Sequence, residues 1–133
     1  MTTLVLFLIG AAATLLLLLQ ATMWVRARRT LGRPAPDTAS VDGAASADRV
    51  RVYYFHAVHC GHCRSMTPRV ELLRAHHRNL IKLDIADARE LAQAFGVAAT
   101  PSFIQVVDGV IRQVKLGGQS EAQLRAMLQS RVR

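Results

Sequence analysis

The sequence predicts an α/β domain, a central mixed sheet of about four strands flanked by helices, preceded by one transmembrane helix. Three observations carry this. Residues 4–25 are almost wholly apolar, strand-like and helix-like segments alternate after residue 48, and the motif Cys60-Gly61-His62-Cys63 stands where the first strand meets the first helix of that alternation. A chain of 133 residues leaves room for one modest domain once the apolar run is set aside.

The apolar run comes first. It includes five consecutive leucines at 15–19 and no charged residue, and about 22 residues in a helix span roughly 33 Å, enough to cross a bilayer. Residues 1–3, the N-terminal end, carry no basic side chain, and the run is longer than the apolar part of a cleaved signal, so a retained anchor is expected. Arg26, Arg28, Arg29 and Arg33 follow it. The positive-inside rule places that side in the cytoplasm, with a periplasmic or extracytoplasmic domain as the alternative because disulfides persist in oxidising compartments. Residues 26–47 read as a basic juxtamembrane segment and a flexible linker, since the stretch from Pro34 onward has too little apolar bulk to build a core. The folded domain is expected over 48–133.

Within it, residues 49–57 are β-branched and aromatic, a strand, and residues 60–78 carry Met66, Val70 and Leu73 at helical spacing. Pro68 falls inside that helix and should kink it. Residues 80–85 form a second strand, and the strand–helix–strand order argues for a parallel unit. Asp87 is placed to cap a short helix that runs to Phe95 and ends at Gly96. Residues 102–107 and 110–116 read as strands joined at Asp108-Gly109, a strong hairpin signal. Gly117-Gly118 breaks the last strand, and a closing helix follows from Ser120, with Leu124, Met127 and Leu128 on one face.

The two cysteines are the only ones in the chain. Three apart at a helix start, they face one side and meet the geometry of a disulfide. The unpaired N–H groups and dipole of that terminus favour a thiolate at Cys60, and the thiolate is the attacking species. His62, between the sulfurs, can add a donor or a positive charge and stabilise the reduced form, which makes the disulfide a stronger oxidant.

With these residues in view the chain after the linker resembles the thioredoxin family. The likeness is carried by Tyr54-Phe55 leading into Cys60-Gly61-His62-Cys63, Pro68, the strand Lys82-Leu83-Asp84-Ile85, Phe95-Gly96-Val97, Thr100-Pro101-Ser102, Asp108-Gly109 and Gly117. The resemblance implies a minimal thioredoxin-like fold, lacking that family's N-terminal strand and helix. It further implies a thiol–disulfide oxidoreductase in which Cys60 attacks, Cys63 resolves the mixed disulfide, and Pro101 is cis beside the active site, with Thr100 and Gly61 also meeting substrate. The family's buried acid six residues before the nucleophile is Tyr54 here, and a tyrosine with a reference pKa near 10 is a poor base. Lys82 matches the lysine that partners that acid. The Gly-His dipeptide is that of protein disulfide isomerase domains. Reference potentials of that isomerase and of thioredoxin differ by roughly 90 mV, about 4 kcal/mol for two electrons, so a centre more oxidising than thioredoxin is expected.

Two other readings stand beside this one. His56, His59 and His62 with the cysteines invite a zinc- or copper-binding module, yet on a strand-to-loop-to-helix path they need not converge, and the expectation is no metal and no cofactor. A redox-inactive membrane adaptor is the third reading. A formal charge of +8 raises nucleic acid as a partner, but four of those charges flank the apolar run and the rest are scattered, so none is expected. The expected partners are protein thiols and disulfides, and the membrane through the N-terminal helix. With no cysteine in the span, reducing equivalents must come from a separate redox protein on the same side.

Overall fold

In the computed structural model, which describes residues 1–129, the chain opens with a single helix, α1 (Thr2–Arg29), whose apolar side chains are exposed along its length. Its stretch Thr2–Arg26 is long and apolar enough to cross a membrane by length and composition. The arginines Arg26, Arg28 and Arg29 occupy its last turn, where positive charge complements the helix dipole, and Arg28 lies 3.5 Å over the ring of Trp24.

The domain is a four-stranded mixed sheet in the order β2-β1-β3-β4, formed by β1 (Val50–His56), β2 (Leu80–Asp84), β3 (Ser102–Val107) and β4 (Val110–Leu116). β1 runs parallel to β2 and antiparallel to β3, and the β3–β4 hairpin turns at Asp108 and Gly109, both at positive φ as a two-residue hairpin loop demands. Side-chain alternation along β1 sends Val52 and Tyr54 to one face and Tyr53 and Phe55 to the other, and both faces are covered. The first face packs under the helix that begins at the cysteine motif, α3 (Gly61–Arg74), and under α5 (Glu121–Leu128) through Met66, Val70, Leu73, Leu124, Met127 and Leu128. Ser120 and Gln123 close a reciprocal capping box at the start of α5. The second face packs under α4 (Arg89–Phe95) through Ala92 and Phe95, whose ring meets both Tyr53 and Phe55.

Three details differ from the sequence expectation. The segment read as a flexible linker is folded: α2 (Ala39–Asp42) and a 3-10 turn (Gly43–Ala45) lie against the second face, with Ala45 fully buried in its core. Apolar bulk was the wrong criterion there. Asp42 is buried and accepts from Arg51, from the Tyr53 hydroxyl at 2.6 Å and from Thr38 at 2.7 Å, so a polar network fastens what side-chain hydrophobicity alone would leave loose. Asp87 does not cap α4, whose N-cap position is Ala88. The carboxylate that tightens this turn is Asp84, which accepts from the Ala86 amide at 2.8 Å. The motif helix ends at Arg74, four residues early, where the His76 amide turns back to Leu73 in a tighter turn.

Candidate functional site

The motif sits at the C-terminal end of β1, where the strand hands over to α3. Cys60 is the N-cap of that helix, with extended backbone angles, and its sulfur accepts from the Cys63 amide at 3.2 Å. Gly61, His62 and Cys63 form the first turn. Cys60 and Cys63 stand as a disulfide, their Cα atoms 5.1 Å apart. The two sulfurs differ in access, for Cys60 is half-buried while Cys63 is 2% exposed, and His62 and Gly61 are exposed. A helix terminus that presents free N–H groups to the outer sulfur favours its thiolate, and the outer sulfur is the more accessible of the two.

Across the sheet, Phe55 faces Ser102, so the segment entering β3 arrives at the same end of β1 from which the motif leaves. That segment holds Thr100 and Pro101, joined by a cis peptide bond, with Pro101 buried and its carbonyl accepting from the Gly117 amide at 2.9 Å. Thr100 and His59 line one wall and rim of a groove of about 860 Å³ that also takes in Val58, Ile85, Val97 and Ala99, a mainly apolar surface beside the disulfide. The sequence-expected residues Cys60, Gly61, His62, Cys63, Thr100 and Pro101 thus lie at one end of the sheet.

Beneath the motif, Tyr54 fills the position of the family's acid. Its hydroxyl is 3.2 Å from Thr67 Oγ1 and 3.4 Å from the Cys63 carbonyl, and Thr67 Oγ1 itself donates to that carbonyl at 2.8 Å. Burial pushes the Tyr54 phenol above its ordinary value, so it serves as a hydrogen-bonding strut rather than a base at neutral pH. Thr67 went unread in the sequence, although its place four residues after Cys63 is the spacing at which a helical threonine bonds back to a carbonyl. His56 stacks on Tyr54 with ring centroids 5.4 Å apart, and burial holds its imidazole below the usual range against the pull of Asp84. Lys82, level with Tyr54 in the neighbouring strand, pairs with Glu71 of α3 at 2.8 Å, and that hydrogen bond holds the Glu71 carboxyl below the ordinary carboxylate range. Among the described residues no group of three or more His, Cys, Asp and Glu side chains is gathered as a metal would require, and His56, His59 and His62 do not converge.

Residues 40–130 match the model of the family described as Thioredoxin. A TPR repeat-containing thioredoxin of Arabidopsis thaliana is 33% identical over 73 residues, which are 53% of this chain and 19% of that protein, so the chain spans about a fifth of that relative's length. A protein named disulfide bond formation protein from Brevibacillus choshinensis is 30% identical over 92 residues, 66% of this chain and 78% of that one. Among solved structures, a mutant thioredoxin from Halobacterium salinarum superposes with a TM-score of 0.62 at 28% identity, covering 72% of this chain and 86% of its own.

Proposed function

The chain belongs to the thioredoxin family, and from that premise we propose that it is a membrane-tethered thiol–disulfide oxidoreductase exchanging disulfides with protein substrates. One observation carries the reading: an accessible Cys60 at a helix N-cap, bonded to a buried Cys63 and beside an apolar groove that Thr100 helps to line.

In the reducing direction the Cys60 thiolate attacks one sulfur of a substrate disulfide. A mixed disulfide forms and the other substrate sulfur leaves as a thiolate. The Cys63 thiol, once deprotonated, attacks Cys60, the mixed bond breaks, and the second substrate thiolate leaves, so that two electrons pass to the substrate and Cys60–Cys63 is oxidised. The oxidising direction is the reverse. His62 tunes the stability of the reduced pair, and Thr100, Pro101 and Gly61 present the substrate segment. The anchor α1 holds this centre at the membrane, on the cytoplasmic side by the arginines that follow the span, and a separate redox protein on that side renews the pair.

The test uses the full chain in lipid nanodiscs. It should catalyse reduction of a model protein disulfide with a small dithiol as electron source, Cys60→Ser should abolish turnover, and Cys63→Ser should accumulate a mixed disulfide. Activity that survives Cys60→Ser would overturn the reading. A glutathione titration of the same sample should place its potential tens of millivolts above thioredoxin's reference value of about −270 mV.

A further inference from the structure

The groove beside the disulfide does not end at α4. Gln93, Val97 and Ala98 wall it on one side, and the same three residues wall a second hollow of about 470 Å³ whose other lining includes Arg26, Arg29 and Arg33. The redox groove therefore shares the wall of Gln93, Val97 and Ala98 with an arginine cleft at the foot of α1. This juxtaposition is built by backbone pairing: Gly32 donates to the Ile111 carbonyl at 2.8 Å, Ile111 donates to Arg33 at 3.0 Å and Ala35 donates to Gly109 at 2.8 Å, so the chain leaving α1 runs antiparallel along the outer edge of β4. Thr30 and Gly96 line the cleft as well, packed so closely that a Cβ at Gly96 would lie 3.0 Å from Thr30 Cγ2.

The charges in the cleft form no ion pair among the described residues. Arg26, Arg29 and Arg33 are exposed, Arg89 lines the first groove, and none of the four forms an ion pair among the described residues, whereas Arg49, Arg51, Arg74, Arg78 and Arg125 all do. Among the described residues the one carboxylate lining either hollow is Asp84, whose Oδ1 accepts from the Ala86 amide.

We propose that the two hollows form one substrate track: an apolar stretch that receives the residues around a substrate cysteine, continued by an arginine stretch that receives acidic residues of the same extended segment. The substrate class is then a protein whose redox cysteine is flanked by glutamates or aspartates and is presented close to the membrane surface. The alternative occupant of the arginines is an anionic lipid headgroup. Continuity with the groove beside Cys60 favours the peptide, because a lipid site would need no shared wall with the redox centre. This rests on the oxidoreductase reading above.

The probes are three synthetic peptides sharing one disulfide, with a glutamate-rich, neutral or lysine-rich flank, assayed against the full chain in nanodiscs of zwitterionic lipid. The glutamate-flanked peptide should show a KM about five- to tenfold lower than the neutral one at low salt, a preference that fades near 1 M salt as exposed pairs are screened. In the triple variant Arg26→Ala, Arg29→Ala, Arg33→Ala the ratio should fall close to one, with lysines at the three positions it should persist, and with glutamates it should reverse. Anisotropy of labelled, alkylated peptides gives the same ratios as binding constants without turnover. If the neutral peptide turns over and the ratio is flat, the track is overturned while the oxidoreductase stands. If no peptide turns over yet the binding ratio follows the arginines, the track stands and the reaction assignment fails. Arginine substitutions that alter only binding to vesicles containing phosphatidylglycerol would assign the cleft to lipid and overturn the proposal.

Discussion

At the scale of single residues the site is governed by what stands under the cysteines. Tyr54 spends its hydroxyl on Thr67 and the Cys63 carbonyl, which fixes the first turn of α3 but supplies no proton acceptor for Cys63. His56, stacked against it, is the titratable ring on the same face of β1, with Asp84, Asp87 and Glu71 drawing its pKa up and burial and Lys82 pressing it down, burial being the strongest. The folded ring therefore takes a proton at lower pH than the unfolded one, whose reference is about 6.5. Its stabilising contribution is complete above that value and is lost as pH falls through it toward the folded pKa, because the unfolded chain then binds a proton the native state refuses. His56→Phe keeps an aromatic ring on Tyr54 and removes the titration. Denaturant midpoints measured between pH 7.5 and 5 should decline less steeply in the variant than in the parent, and equal slopes would show that His56 is not desolvated in the native state.

At the scale of elements, the decisive pieces are the turn segment before β1 and the strand it fastens to. Arg51 projects from β1 toward Asp42 with 14% of its side chain exposed, and Asp42 is nearly inaccessible at 3%. Removing one partner of such a pair leaves a buried charge, at a cost of about 3 kcal/mol, whereas replacing both by apolar groups is close to neutral. Asp42→Ala should thus lose roughly that much stability, also stranding the Tyr53 and Thr38 hydroxyls, and Asp42→Leu combined with Arg51→Met should recover most of it in urea unfolding; a double variant as unstable as the single would refute the coupling. The same segment marks the limit of what the sequence made legible. The strands, the hairpin at Asp108-Gly109, the helices over Met66 and Leu124 and the cysteine centre all announce themselves through periodicity or local turn chemistry, signals that a single stretch of chain contains. Residues 34–47 carry turn chemistry at Pro36-Asp37 and Asp42-Gly43, where Asp37 accepts from the Ala39 amide, but no periodicity that marks a packed element. What orders them is a carboxylate reaching Arg51 and Tyr53 nine and eleven residues on, and amides bonding a strand some 75 residues away, both invisible to local composition. The groove residues around Ala98 escaped for the same reason, since their roles come from tertiary neighbours, whereas the bond of Thr67 to the Cys63 carbonyl four residues back is a local signal that went unread.

At the scale of the whole molecule, the pairing of residues 32–35 with the edge of β4 sets what α1 can do as the proposed anchor. A flexible tether would let the disulfide sweep a wide volume and raise its effective concentration toward many substrates. A segment bonded to β4 instead ties the domain to the foot of α1, so the redox groove and the arginine cleft hold one relation to the helix, and the exposed backbone of an edge strand is covered as well. Trp24 and Arg28 of α1 line one hollow with Arg112 and Leu116 of β4. Amide hydrogen exchange on the full chain in nanodiscs separates the two pictures. If the pairing persists, the Gly32, Ala35 and Ile111 amides should exchange at least tenfold more slowly than unstructured chain, because each must wait for a local opening. Breaking the pairing at one point should release the others: Gly32 sits at φ +77°, so Gly32→Val forces a β-branched side chain into the left-handed region and should speed exchange at Ala35 and Ile111 together while leaving the amides of β1 protected. Unstructured-chain rates at Gly32 and Ala35 in the parent would mean that the domain swings freely, that the arginine cleft has no fixed wall, and that substrate choice is left to the groove beside Cys60 alone.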